Sequence, residues 1–146
     1  MSAEGLRNMP TSLSRWYEIG QDRITGFADV TEDWQFIHLD EDRMAPQGGT
    51  MAHGFLTLSM LSAMAYDVQP EIPGLLQGVN YGFDRIRFVS PVRAGQRIRG
   101  RFSVADVVEK PGRLDVTWDV VVQVDGADRP ALVAQWINMF EVGTPG

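Results

Sequence analysis

The stretch HGFLTLSMLSAMAYDV, residues 53–68, decides how the rest of the chain must be arranged. Phe55, Leu56, Leu58, Met60, Leu61, Ala63, Met64 and Ala65 leave no consistently polar side at a helical period, so the pattern predicts a helix buried on most of its circumference. Such a helix needs a wrapper, and the sequence supplies one directly downstream. Strand-like runs fall at 75–89, 96–108, 113–124 and 131–142, divided by the turn-forming segment 91–95, Pro111-Gly112 and Asp125-Gly126. In RLDVTWDVVVQV, residues 113–124, Val116, Trp118, Val120, Val122 and Val124 alternate with Asp115, Thr117, Asp119 and Gln123, the period of two of a half-buried strand. A helix followed by an antiparallel meander predicts an α+β fold, a curved antiparallel sheet wrapped around a long central helix.

Upstream, residues 14–19 read as a further strand. Asp22 reads as an N-cap, followed by Ile24, Phe27, Ala28 and Thr31 at helical spacing, so a short helix should end near Glu32 with Asp33 at its C-terminal edge. Residues 1–10 and 143–146 are expected to fray, leaving a core over about residues 15–142 of one domain spanning 1–146. An open sheet leaves an edge that a second copy would cover, so a homodimer is expected, with dimers of dimers as a further step.

Composition narrows the classes of function. No apolar run approaches the roughly 18 residues of a membrane span. The N-terminus has no basic segment leading into an apolar one, which predicts a cytoplasmic protein. Zero cysteines exclude thiolate chemistry and disulfides. The net charge of -6 argues against a nucleic-acid surface. Eight of the 13 basic residues nonetheless lie between Arg85 and Arg113, beside only Asp106 and Glu109. Two readings of that cluster stand: a landing place for a small anionic ligand, or arginines on solvated strand faces.

The candidate chemistry lies ahead of the central helix. Asp33 and His38 are five residues apart, about 140° on one continuous helix, so they converge only if the chain leaves the helix between them. A carboxylate and an imidazole brought together can hold a water, one taking a proton while the other delivers one. The alternative is an Asp that terminates a helix and a His satisfied by a backbone carbonyl. The two histidines and the scattered carboxylates show no metal-ligand spacing, so no metal is expected.

The run Thr31-Glu32-Asp33-Trp34-Gln35-Phe36-Ile37-His38 resembles the signature of MaoC-like (R)-specific enoyl-CoA hydratases and dehydratases, which have the hot-dog fold. His53-Gly54 matches the pair that opens the central helix of that family, and Ser62 matches a serine nine residues beyond that histidine. Residues 79–92 are similar to the strand after the helix in its nodulation-protein-like branch. The likeness covers roughly residues 15–140. The chain departs from the signature at Gln35-Phe36, where Asn-Pro is usual; proline fixes a backbone angle that phenylalanine does not, so the turn aiming His38 is in question.

The resemblance implies that Asp33 and His38 bond the water that adds to the β-carbon of a trans-2-enoyl thioester, giving the (R)-3-hydroxyacyl thioester. The backbone N–H of Gly54 would stabilise the developing enolate oxygen, and glycine there would let the substrate approach. Ser62 would support the water or the carboxylate, unless its hydroxyl simply bonds back to a carbonyl one turn earlier. His53 reads as a helix-opening residue with a structural hydrogen bond, or as support for the site. Asn80 would line the site, and Arg85 and Arg87 would meet the substrate's phosphates. No dissociable cofactor is implied, because coenzyme A or the phosphopantetheine of an acyl-carrier protein arrives as part of the substrate. Two other readings share the fold: an acyl-CoA thioesterase, which would release free thiol, and a non-catalytic acyl-thioester-binding subunit of a dehydratase.

Overall fold

The computed structural model describes residues 1–143. In chain order the elements are α1 (Ala3–Arg7), β1 (Ser12–Leu13), β2 (Tyr17–Ile19), α2 (Gln21–Thr31), α3 (Phe36–Leu39), α4 (Glu41–Met44) with a 3₁₀ turn at Ala45–Gln47, α5 (Gly54–Ser59), α6 (Leu61–Val68), β3 (Leu75–Phe88), β4 (Gln96–Lys110), β5 (Arg113–Val124) and β6 (Leu132–Val142). The sheet is antiparallel, in the order β1-β4-β5-β6-β3, and β2 also pairs with β4. The predicted α+β hot-dog arrangement is the one adopted.

The alternation read in β5 decides which face is core. Leu114, Val116, Trp118, Val120, Val122 and Val124 are buried, as are Leu132, Ala134, Trp136, Asn138 and Phe140 across from them in β6. Each large side chain removed from water stabilises the fold by about 1.5–3 kcal/mol. Close approach of helix to sheet depends on Gly100 in β4: a Cβ there would lie 2.4 Å from the Phe102 ring and 3.1 Å from the Met64 sulfur. Trp118 meets Phe102 edge-on at 5.9 Å, and its indole N–H donates to Asn138 Oδ1, 3.1 Å away, whereas the indole N–H of Trp136 across from it has no partner among the described residues. The Pro111-Gly112 turn closes β4 onto β5, with Gly112 at φ 71° where a side chain would be strained.

Several expectations need correction. The central helix is not one rod: it divides at Met60, and only one side is buried, through Leu56, Thr57, Leu61, Met64 and Ala65. Phe55 and Tyr66 are 69% and 78% exposed, because the sheet covers one face of the helix and none of the described residues covers these two side chains. Residues 1–10 do not fray. Ser2 caps α1, Leu6 is fully buried, and Arg7 Nη2 donates to Val107 O at 2.8 Å. The expected strand at 14–19 is confined to Tyr17–Ile19, with a separate pairing upstream at Ser12–Leu13; between them the Ser14 hydroxyl donates to Arg15 O and accepts from Gly100 N–H. Asp22 is not the cap of α2; Gly20 holds that place and Asp22 lies in the first turn. At the C-terminus Gly143 N–H donates to Gly74 O, 2.8 Å away; residues 144–146 of the expected frayed tail lie outside the described residues.

Candidate active site

Glu32 ends α2 in the left-handed conformation, φ 60° and ψ 34°, and this single residue turns the chain out of the helix before Asp33. Asp33 N–H still reaches back to Ala28 O at 3.1 Å. Gln35 is then extended, and Phe36 is the first residue of α3. Those are the conformations that a proline at position 36 would impose on itself and its predecessor. The turn therefore forms without proline, with the Arg43 guanidinium stacked 3.6 Å from the Phe36 ring.

This route brings Asp33 and His38 together. His38 is 6% exposed, and its Nδ1 is 2.7 Å from Met51 O. A carbonyl only accepts, so Nδ1 carries the hydrogen and the neutral ring has a bare Nε2. That Nε2 faces Asp33 Oδ2 at 3.9 Å, too far for a direct hydrogen bond and a span that one water can bridge. Two acceptors face each other there. A water between them would donate one hydrogen to each and turn its lone pairs outward. The Asp33 side chain is about half exposed, so the buried imidazole is the fixed partner and the carboxylate meets solvent.

Other residues hold this geometry. Gln21 Nε2 donates to His38 O at 2.8 Å, and Thr50 donates to the same Gln21 side chain. His53 donates from Nε2 to Asp33 O at 3.0 Å, and its ring stacks on His38 with centroids 3.6 Å apart. Phe27 packs against the far side of that pair, 4.9 Å from the His53 ring. Sequence reasoning did not find Gln21 or Met51. A lone glutamine in a first turn carries no signal, and Met51 acts through its carbonyl, which every residue has.

Asp33, His38 and His53 each place one potential ligand atom within 4.8 Å of the others, a grouping that spacing did not predict. The two rings lie within 20° of parallel, so their in-plane lone pairs run side by side instead of converging on one ion. His38 Nδ1 and His53 Nε2 are engaged with carbonyls, which leaves His38 Nε2 and His53 Nδ1 as the free ring nitrogens.

Gly54 is the first residue of α5, so its N–H has no acceptor within the helix. The space beside it is occupied: a Cβ on Gly54 would lie 3.0–3.3 Å from the ring of Phe88, itself about half exposed. A side chain there would press on the chain's own Phe88, so glycine at this position also makes room for that ring. An apolar cavity of about 250 Å³ lies alongside, lined by Met51, Ala52, Gly54, Thr57, Phe88 and Val92 among others.

The remaining sequence candidates are elsewhere. Ser62 and Asn80 line a different cleft, about 140 Å³, with Trp136 and Asn138 between α6 and the sheet. Asn138 Nδ2 approaches Asn80 Oδ1 at 3.4 Å. The bond back to a carbonyl one turn earlier is made by Ser59, to Phe55 O, not by Ser62. Arg85 and Arg87 pair in register with Gln135 and Val133, whose neighbours Ala134 and Trp136 point inward. The pleat therefore places both arginines on the outer face, away from Asp33 and His38 in this protomer. Much of the basic cluster is locally engaged: Arg97 with Asp125, Arg99 with Gln123, Arg113 and Lys110 with Asp115, and Arg93 with Gly49 O.

A family model described as "MaoC like domain" matches residues 4–125. The chain is 46% identical over 132 residues to nodulation protein N of Rhizobium leguminosarum bv. viciae, covering 88% of this chain and 82% of that protein. It is 38% identical over 130 residues to 3-hydroxyacyl-thioester dehydratase Z of Mycobacterium tuberculosis, covering 87% and 85%. Among solved structures, a monoamine oxidase regulatory protein from Archaeoglobus superposes with a TM-score of 0.81 at 20% identity, covering 99% of this chain and 96% of that one, a likeness of fold.

Proposed function

The chain belongs to the MaoC-like dehydratase family, and from that premise we propose that it is an (R)-specific enoyl-thioester hydratase acting reversibly on trans-2-enoyl thioesters. The observation that carries the reading is the facing of two acceptors, Asp33 Oδ2 and His38 Nε2, across 3.9 Å, with the tautomer of His38 set by Met51 O. A water held there keeps a lone pair free for the β-carbon. As its oxygen adds, one of its protons passes to the pair, and the pair returns a proton to the α-carbon on the same face, so the two residues act as one acid–base unit. The Gly54 N–H lies near the site, through His53 and Met51, and supplies the donor for the thioester oxygen as charge gathers there.

The active form is a homodimer on this reading. β3 is a 14-residue edge strand whose outer side is unpaired, and Leu76, Val79, Tyr81 and Phe88 along it are 40–67% exposed. A long apolar edge of this kind invites pairing with another copy.

The test is to follow enoyl-thioester absorbance on adding the protein to crotonyl-CoA and to a longer trans-2-enoyl-CoA, with a thiol-reactive dye present. Loss of absorbance without thiol release is the expected result. Thiol release would indicate a thioesterase, and binding of acyl-CoA without turnover would indicate a non-catalytic subunit.

A further inference from the structure

We infer that His53 is a positioning residue for Asp33 and His38: a single imidazole ties down the backbone of one and supports the ring of the other. The inference rests on the hydration reading above. His53 is 3% exposed and sits at the N-cap position of α5, where a side chain ordinarily accepts a hydrogen bond from the first turn of its own helix. It makes no such bond. Its Nε2–H goes instead to the carbonyl of Asp33, twenty residues upstream. Its Nδ1 is left as a buried acceptor without a hydrogen-bond partner among the described residues.

A buried acceptor left unpaired is costly, and neither half of the observed role demands a histidine alone. Glutamine could make the bond to Asp33 O, and phenylalanine could stack on His38. Histidine does both, and the unpaired Nδ1 follows from meeting both demands with one ring. The consequence is geometric. Asp33 is held at its N–H by Ala28 O and at its C=O by His53, while His38 is held at Nδ1 by Met51 O and across its face by the His53 ring. The 3.9 Å between the two acceptors is bounded by these four contacts. Errors of about 1 Å in such a gap cost on the order of 100-fold in rate.

Three variants separate the two contributions. His53→Gln keeps a donor for Asp33 O and loses the ring; His53→Phe keeps the ring and loses the donor; His53→Ala loses both. Hydration of crotonyl-CoA is measured for kcat and KM, with urea midpoints and exchange of the Asp33 amide, which is bonded to Ala28 O, on the same proteins. We expect kcat to fall at least tenfold in His53→Phe and further in His53→Ala, with KM within about twofold. His53→Gln should recover part of the loss, and amide exchange should accelerate about three- to tenfold wherever the donor is absent, as for one lost hydrogen bond. Folded variants that keep wild-type kcat and wild-type exchange would overturn the inference, as would a fall in urea midpoint with kcat unchanged. A wild-type protein that does not hydrate the substrate defeats the parent reading, and exchange at the Asp33 amide still decides whether His53 holds the segment.

Discussion

Replacing Asp33 by asparagine is the most informative single change, because the structure separates its effect on chemistry from its effect on folding. The Asp33 side chain is 52% exposed, and its hydrogen bond within the chain is the one Oδ1 accepts from Gln35 N–H at 3.3 Å. An amide oxygen still accepts that bond, and at 3.3 Å in an exposed position the loss of the carboxylate charge costs it little. The backbone bonds to Ala28 O and from His53 do not involve the side chain. The stability change should therefore stay within about 0.5 kcal/mol, as for a surface substitution. With the amide oxygen engaged by Gln35, its NH₂ takes the place of Oδ2 opposite His38 Nε2. A bridging water would then accept from the amide and donate only to His38, losing the second acceptor that orients it. Losses from removing one acid–base group are about 100- to 10,000-fold, or roughly 2.7–5.4 kcal/mol of transition-state stabilisation at about 1.36 kcal/mol per decade. The assay is crotonyl-CoA hydration beside a urea titration of the same preparation. An Asp33→Asn protein that folds normally and keeps more than about a tenth of the wild-type rate would refute the two-acceptor argument.

Further outcomes follow from the core and the outer face. Leu6→Ala should cost about 2–5 kcal/mol by urea denaturation, since Leu6 is fully buried and α1 is part of the packed structure; a frayed terminus would give almost none. Trp118→Phe should cost about 1–3 kcal/mol in thermal or urea unfolding, because Asn138 Oδ1 loses its buried donor, and adding Asn138→Leu should recover part of that loss. On the outer face, the hydrogen-bonded Arg113 guanidinium, helped by Lys110, holds the Asp115 carboxyl below its ordinary value of 3.8. A lowered folded value makes this contribution complete above pH 3.8 and removes it as pH falls through the folded value. Asp115→Asn should thus lower the urea midpoint at neutral pH by an amount equivalent to about 1 kcal/mol or less, given solvent screening, with the difference from wild type closing below pH 3.8.

The sequence by itself determined the fold class and offered Asp33 and His38 as a candidate pair, which the fold brings face to face. Alternation in residues 113–124 is a local property: the pleat turns each side chain to the opposite face, so the buried set could be read without knowing the partner strand. Asp33 and His38 were legible as a pair because the run from Thr31 to His38 is contiguous, although whether they meet depended on one left-handed residue, Glu32, that no pattern marks. Tertiary structure decided the rest. Met51 and Gln21 hold His38 from 13 and 17 residues away, and His53 reaches Asp33 across 20; each contact exists only once sheet and helix have fixed their relative placement. The same placement turned Arg85 and Arg87 outward and set Ser62 and Asn80 in a separate cleft, where sequence likeness had put them at the site. Side-chain type and spacing record what a residue can do along the chain, whereas strand register and helix packing decide what it faces.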